Sequence, residues 1–353
     1  MKTVLINTAI VGFGLSGQAF HAPFILSHKG FKLCSIVTSQ KPENRRFKEV
    51  KFTENFEEVL NDPSIELVII ATPDFLHFEQ AEKALLAGKH VIIEKPFTSN
   101  SQQAEELIRI SQQAGKYIFP YQNRRFDSDF LTVKHLISEG YLGEITHFES
   151  RFERYSPEIK RASWKFENES GGLLFDLGVH LADQAVQLFG KADAVFCRLF
   201  NHRNTGNSND SFDISLVYNE LDVRLFAGLL CREPAPRFII HGTKGSFIKY
   251  GTDMQETRLR KGVMPGKSGF GDELRRDFGI LNSTAFQKEF KGKYPSLPGN
   301  YQAFFDNVHN VLINSGKPLI TPEEALYNIR LLEAAETSNK NMQLINISNL
   351  KNH

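Results

Sequence analysis

Through the first third of the chain, short apolar runs alternate with longer stretches in which apolar positions recur every three to four residues. The runs at 7–11, 32–37, 67–71, 90–93 and 117–120 are too short for helices and rich in β-branched and aromatic residues, so they predict strands. Between them the spacing predicts helices over 16–27, 55–60, 75–87 and 101–114. The last two stop at Gly88 and Gly115, the residue type that most easily adopts the left-handed backbone of a helix end. Strands and helices in regular alternation predict a doubly wound parallel sheet.

After Asn123 the pattern changes. One amphipathic stretch (129–138) and one led by two glycines (174–189) predict helices, and the runs at 212–218, 221–230 and 237–240 predict strands of a mostly antiparallel sheet. Residues 251–299 hold many Gly, Lys and Arg with little periodicity and read as a surface excursion. Helices over 301–313 and 322–337 and a strand over 343–347 close the chain. The expected fold class is α/β: a parallel-sheet domain over 1–122, then an α+β domain over 123–353 with a large, mostly antiparallel sheet. A length of 353 residues agrees with two cores rather than one.

Composition narrows the function. With 41% hydrophobic and 24% charged residues the chain is that of a globular protein, and 42 basic against 41 acidic residues leave a net charge of +1. A protein that tracks nucleic-acid phosphates needs a visible basic excess, so no nucleic-acid partner is expected. The three cysteines, Cys34, Cys197 and Cys231, have no metal-ligand spacing and read as small buried hydrophobes in a reducing compartment; no metal is expected. The opening MKTVLINTAIVGFG has the outline of a leader peptide, but Asn7 and Thr8 interrupt its apolar run and it leads straight into a glycine pattern, which favours a first strand. No stretch reaches the roughly 20 apolar residues that span a bilayer. A cytoplasmic protein without a membrane partner is the expectation.

Gly12-Phe13-Gly14-Leu15-Ser16-Gly17 fits G-x-G-x-x-G between a predicted strand and a predicted helix, the context that makes this short pattern specific. The first glycine permits the tight turn, the second lets backbone approach a pyrophosphate, and the third lets helix and strand pack; the helix N-terminus attracts the phosphates. The second strand ends in Thr38-Ser39-Gln40-Lys41 with no acidic residue to hold a ribose 2′-hydroxyl. Ser39 with Lys41, Arg45 or Arg46 suits a 2′-phosphate instead, so NADP is favoured over NAD. The alternative is that these cations coat the next segment. The third strand exits into Ala71-Thr72-Pro73-Asp74, with His77 beyond, beside the nicotinamide half of such a cofactor or simply capping a helix.

The fourth strand exits into Glu94-Lys95-Pro96. A charged pair there is either an ordinary solvated strand end or chemistry at the carboxyl edge of a parallel sheet. Further on, Asp176, His180 and Asp183 fall at helical spacing in an otherwise apolar segment, where each needs polar company. Oxidising an alcohol requires a base for the hydroxyl proton, a role for His near neutral pH. Lys can stabilise the developing alkoxide and a carboxylate can orient either. Lys95, Asp176 and His180 make that set; the competing account is a satisfied core histidine with capping carboxylates.

The glycine loop, Glu94-Lys95-Pro96 and the Gly171–Asp183 run, read as GG-L-L-x-D-x-G-x-H-x-x-D, together resemble the Gfo/Idh/MocA oxidoreductase family. Phe20-His21-Ala22-Pro23-Phe24, residues 121–127 and residues 246–251 resemble its branch of NADP-dependent scyllo-inositol dehydrogenases. The resemblance spans nearly the whole chain. It implies a Rossmann domain, a sheet domain, an active site in the cleft between them, and pairing of copies through the C-terminal sheet into a homodimer or tetramer. It implies catalytic roles for Lys95, Asp176 and His180, and cofactor contacts at Gly12, Phe13, Gly14, Leu15, Gly17, Thr38, Ser39, Ala71, Thr72, Pro73, His77, Glu94 and Lys95. Asn123, Arg124 or Arg125, and Trp164 join Asp176 and His180 on the substrate side. Gln122 and Lys165 depart from the branch, where His and Arg are expected. The implied activity is NADP(H)-dependent interconversion of a secondary alcohol of a cyclitol or sugar with its ketone. The alternatives are the same chemistry on another sugar, dihydrodiol or carbonyl compound, or a non-catalytic dinucleotide sensor.

Overall fold

The computed structural model describes residues 5–40, 47–158, 172–203, 208–285 and 289–349. The chain forms two compact units: one of Met1–Asn123, Met254–Phe270 and Asn300–Leu326, the other of Arg124–Asp253, Gly271–Gly299 and Tyr327–His353.

The first unit is built on strands β1 (Ile6–Val11), β2 (Phe31–Val37), β3 (Lys51–Thr53), β4 (Leu67–Ile70), β5 (His90–Ile93) and β6 (Ile118–Pro120), all parallel, in the order β3-β2-β1-β4-β5-β6. The chain runs outward from β1 to β3 and returns beside β1 as β4, which places the topological switch between β1 and β4. Every residue of β4 is fully buried, because a central parallel strand is covered on both faces and so reads as an unbroken apolar run. The crossovers carry α1 (Ala22–Ser27), α2 (Phe56–Leu60), α3 (His77–Leu86) and α4 (Ser101–Ala114). Asn55 and Asn100 cap α2 and α4 by accepting from Glu57 N and Gln103 N, and Gly115 ends α4 at φ 62°. The helix expected over 16–27 is instead a π turn at Gly17–His21 followed by α1. The three-residue β3, on the sheet's edge, has no apolar run to announce it.

In the second unit, α5 (Ser128–Ser138) and β7 (Ile145–Glu153) precede a π turn at Leu174–Gly178 that runs into α6 (Val179–Phe189). Strands β8 (Ala194–Phe200), β9 (Ser211–Val217), β10 (Asp222–Gly228), β11 (Phe238–Gly242) and β12 (Gly245–Lys249) follow. The stretch expected to be a surface excursion carries α7 (Gln255–Arg260), which belongs to the first unit, and strands β13 (Ile280–Ser283) and β14 (Phe290–Lys293) of the second. These last two strands of the sheet bury little, Leu281 and Ser283 being the buried positions, so periodicity gave no signal. Then come α8 (Gln302–Asn314) in the first unit, α9 (Pro322–Asn341) and the short β15 (Ile345–Asn346).

The nine strands order as β14-β13-β12-β11-β7-β10-β9-β8-β15, antiparallel throughout except for β7 beside β10. One face buries Phe148, Phe152, Ile214, Leu216, Val223 and Leu225 in a core shared with Val133, Leu181 and Leu332 from α5, α6 and α9. The alternate positions of β7, His147, Glu149, Arg151 and Glu153, lie on the other face. Among the described residues no helix is long and apolar enough to cross a membrane.

Candidate active site

The glycine loop leaves β1 at the switch point and fits a dinucleotide. Gly12 adopts φ 91°, and a Cβ there would lie 2.7 Å from the backbone of Ala71, so the loop presses directly on the β4 exit. A Cβ on Gly17 would come within 2.3 Å of Gly12 O, which is the close strand-to-helix approach that the third glycine serves. A Cβ on Gly14 would meet nothing within 4 Å: space is open where a pyrophosphate needs to reach the backbone. Phe13 contributes only backbone, since its ring is buried edge-on to Phe47 and Phe52. Leu15 stands exposed on the loop.

At the β2 exit, Thr38 Oγ1 accepts from Gln40 N at 3.0 Å and Ser39 faces solvent. Gln18 donates to Phe13 O at 2.7 Å and to Gln40 Oε1 at 3.4 Å, tying the glycine loop to that exit. No sequence motif announced this tie. Lys41, Arg46 and Trp164 lie outside the described residues.

The exits of β4 and β5 are joined by His77. Its ring is buried, with Nδ1 2.8 Å from Pro96 O and Nε2 3.0 Å from Thr72 O. Burial pushes its pKa down against the pull of those two carbonyls; a neutral ring donates to one of them at a time, and only the protonated ring to both. A surface histidine is therefore ruled out; His77 is a bridge between the loops of Thr72-Pro73 and Lys95-Pro96. Thr72 itself donates to Gln80 Oε1 at 2.7 Å.

Glu94 is not a solvated strand end, being only 7% exposed. Its Oε1 accepts from Ser16 Oγ and, at 2.9 Å, from His21 Nε2, and its Oε2 accepts from Lys95 N at 3.1 Å. Burial alone would raise its pKa, but the His21 and Ser16 bonds and the charge of Lys95 outweigh it and hold the carboxyl below its ordinary range. Lys95, half-buried, follows at the end of β5, and Tyr121 N donates to Ile93 O at 2.8 Å, bringing the β6 exit with Asn123 alongside.

In the second unit the helix bearing Asp176 and His180 begins at Gly172, whose φ of 113° and contact with Asn209 admit no side chain. Asn209 caps the start: its carbonyl oxygen accepts from Leu173 N at 3.0 Å and its side chain from Leu174 N at 2.9 Å. Asp176 lies within the π turn, half-buried, and His180 is buried in the first turn of α6. Short π segments often mark functional positions.

The next turn of α6 explains how a buried carboxylate is tolerated. Asp183 takes a two-pronged bond from Arg125, Nε at 2.8 Å and Nη2 at 2.6 Å, and a third bond from Asn328 Nδ2 at 2.7 Å. The guanidinium expected beside substrate is thus committed to Asp183. Gln184 donates to Arg124 O at 2.9 Å and accepts from Arg237 Nη2 at 2.7 Å. Arg237 lies 3.9 Å from the Phe152 ring centroid, and burial pushes its pKa down to about 10, still cationic at neutral pH. Asn209, Asn328 and Arg237 come from distant stretches, and nothing local in sequence points to them. Among the described residues no group of three or more His, Cys, Asp or Glu side chains is arranged to hold a metal.

A parallel sheet with a glycine cradle at its switch point, in a chain that continues into a large antiparallel sheet, defines the class: a two-unit oxidoreductase with a dinucleotide-binding Rossmann unit. Comparison with known proteins agrees. The profile described as "Oxidoreductase family, NAD-binding Rossmann fold" matches residues 6–122, and "Oxidoreductase family, C-terminal alpha/beta domain" matches 134–347. The chain belongs to the Gfo/Idh/MocA oxidoreductase family. It is 36% identical to scyllo-inositol 2-dehydrogenase (NADP(+)) IolW of Bacillus subtilis, over 98% of this chain and 96% of that one. It is 38% identical to the uncharacterised oxidoreductase YhhX of Escherichia coli, over 94% and 96% of the two chains. A crystal structure of a putative oxidoreductase from Bacteroides fragilis superposes with a TM-score of 0.91 at 39% identity, covering 97% of this chain and all of that one.

Proposed function

We propose that the protein is an NADP(H)-dependent dehydrogenase that interconverts a secondary alcohol of a cyclitol or sugar, scyllo-inositol or a close relative, with its ketone. The observation that carries this reading is the carboxyl edge of the parallel sheet, where an open glycine cradle and a half-buried lysine at the β5 exit occupy one unit. Near-full-length similarity to an NADP-dependent inositol dehydrogenase supports the substrate class.

The backbone of Gly12–Gly17 would hold the dinucleotide, with Leu15 and the Thr72-Pro73 loop, braced by His77, as its further contacts. The nicotinamide ring, when bound, supplies the hydride acceptor. The 2′-phosphate falls to Thr38 and Ser39, with Lys41 and Arg46 as neutralising cations. Removal of hydride from carbon leaves a proton on the substrate oxygen. In this reading His180 takes it, Lys95 Nζ donates to the oxygen as negative charge develops, and Asp176 orients one or the other. Asn123 and Trp164 complete the substrate side, and Arg125, bonded to Asp183, holds the helix that carries His180. We further propose that copies assemble into a dimer or tetramer through the outer face of the nine-stranded sheet.

The test is the absorbance of reduced nicotinamide when cyclitols and aldoses are offered with NADP or NAD. Reduction of NADP by scyllo-inositol or a close relative is expected; tight NADP binding without turnover of any polyol overturns the assignment. Lys95→Ala is expected to lower kcat by about 10²-fold or more while NADP affinity stays within a few-fold, and unchanged turnover removes Lys95 from the chemistry.

A further inference from the structure

His21 has no role in the mechanism above, yet it is fully buried and makes one specific polar bond. It closes the π turn that opens the helix after the glycine loop, so its place is set by the same turn that presents Gly17. Its ring packs 4.5 Å from that of Tyr121 and 6.1 Å from that of Phe305, centroid to centroid. Its Nδ1 makes no hydrogen bond, which assigns the proton to Nε2, the nitrogen 2.9 Å from Glu94 Oε1. Ser16, one residue before the turn, donates to the same oxygen. The other carboxylate oxygen accepts from Lys95 N.

We propose that His21 is a positioning residue: with Ser16 it fixes Oε1 of Glu94, and Glu94 through Oε2 fixes the backbone of Lys95, so the turn that starts the phosphate-binding helix sets the place of the acid–base lysine. A carboxylate next to a lysine in sequence is otherwise free to turn toward the ammonium group and compete with the substrate oxygen for it. Two donors on one oxygen and a backbone N–H on the other fix the carboxylate's orientation. The charge-assisted bonds are buried, where such bonds are strong and their loss is costly. Because Ser16 and His21 sit on the glycine-loop turn, ordering of that turn by the dinucleotide is transmitted to Lys95 without His21 touching either ligand.

This inference rests on the proposed role of Lys95, and the test separates the two. His21→Leu, His21→Gln, Ser16→Ala and Lys95→Ala are assayed with NADP and whichever polyol the wild type oxidises best, with melting temperature and NADP affinity measured on each. His21→Leu is expected to lose about tenfold to a hundredfold in kcat, with NADP affinity within a few-fold of wild type. Gln carries an N–H donor on a side chain of similar reach, so His21→Gln is expected to recover most of that loss. A kcat that is unchanged in His21→Leu, or that falls equally in His21→Leu and His21→Gln in step with melting temperature, overturns the relay and leaves a packing role. Should His21→Leu not fold, Ser16→Ala decides: about a fivefold loss of kcat is expected, and wild-type kcat overturns the proposal. Turnover retained by Lys95→Ala overturns the proposed chemistry instead, and a wild type inert toward every polyol overturns both.

Discussion

Ser39 stands exposed at the end of β2, in a stretch, Thr38 to Gln40, that holds no carboxylate. A carboxylate introduced there would repel a 2′-phosphate through solvent-exposed space, where like charges cost little per pair but still discriminate. Ser39→Asp is expected to lower the preference for NADP over NAD by about tenfold or more in paired titrations; an unchanged ratio removes Ser39 from 2′-phosphate binding. At this scale the sequence was most legible where backbone geometry demands one residue type. Gly12 and Gly17 were readable because each meets a steric requirement, visible in the contacts a Cβ would make. Glu94 was less so: its sequence left a solvated strand end and a functional position both open, and only the fold brings Ser16 and His21 across 78 and 73 residues to bury it.

Among the elements, α6 carries the largest burden. Its first turn and the π turn before it present Asp176 and His180, and its second turn is pinned by Arg125, Asn328 and Arg237. Removing one partner of a buried ion pair leaves the other charge uncompensated. Arg125→Met is therefore expected to destabilise the second unit by about 3–5 kcal/mol in urea unfolding, and Arg125→Met with Asp183→Leu to regain part of it. A single variant as stable as wild type would show the pair to be dispensable. Periodicity recovered the long helices and the buried parallel strands, but not β7 or β8. In β7 the alternation Phe148, Ser150, Phe152 against Glu149, Arg151 is present, yet the serine on the inner face leaves three consecutive polar residues, Glu149-Ser150-Arg151, between the phenylalanines and dilutes it. The π turns at Gly17 and Leu174 were invisible because an inserted residue does not alter apolar spacing enough to register.

For the whole molecule, the outer face of the nine-stranded sheet bears on assembly. Ile239, Ile248 and Ile280 stand directly opposite one another across β11, β12 and β13, with Glu149 beside Ile239 on β7. An apolar row bordered by charge is a surface that a second copy would cover favourably. Ile248→Lys is expected to shift the species seen by light scattering toward monomer; an unchanged mass places any assembly contact elsewhere. The sequence by itself determined the parallel sheet, its glycine cradle and the change of architecture after residue 123, because each is written in local spacing or in a steric need met by one residue. Only the tertiary structure decided that two late segments join the first unit, that Arg125 serves Asp183, that His77 braces two loops, and that Glu94 is gathered under the glycine loop. Those facts depend on which distant chains pack together, and a buried charge finds its partner through the fold rather than through its neighbours in sequence.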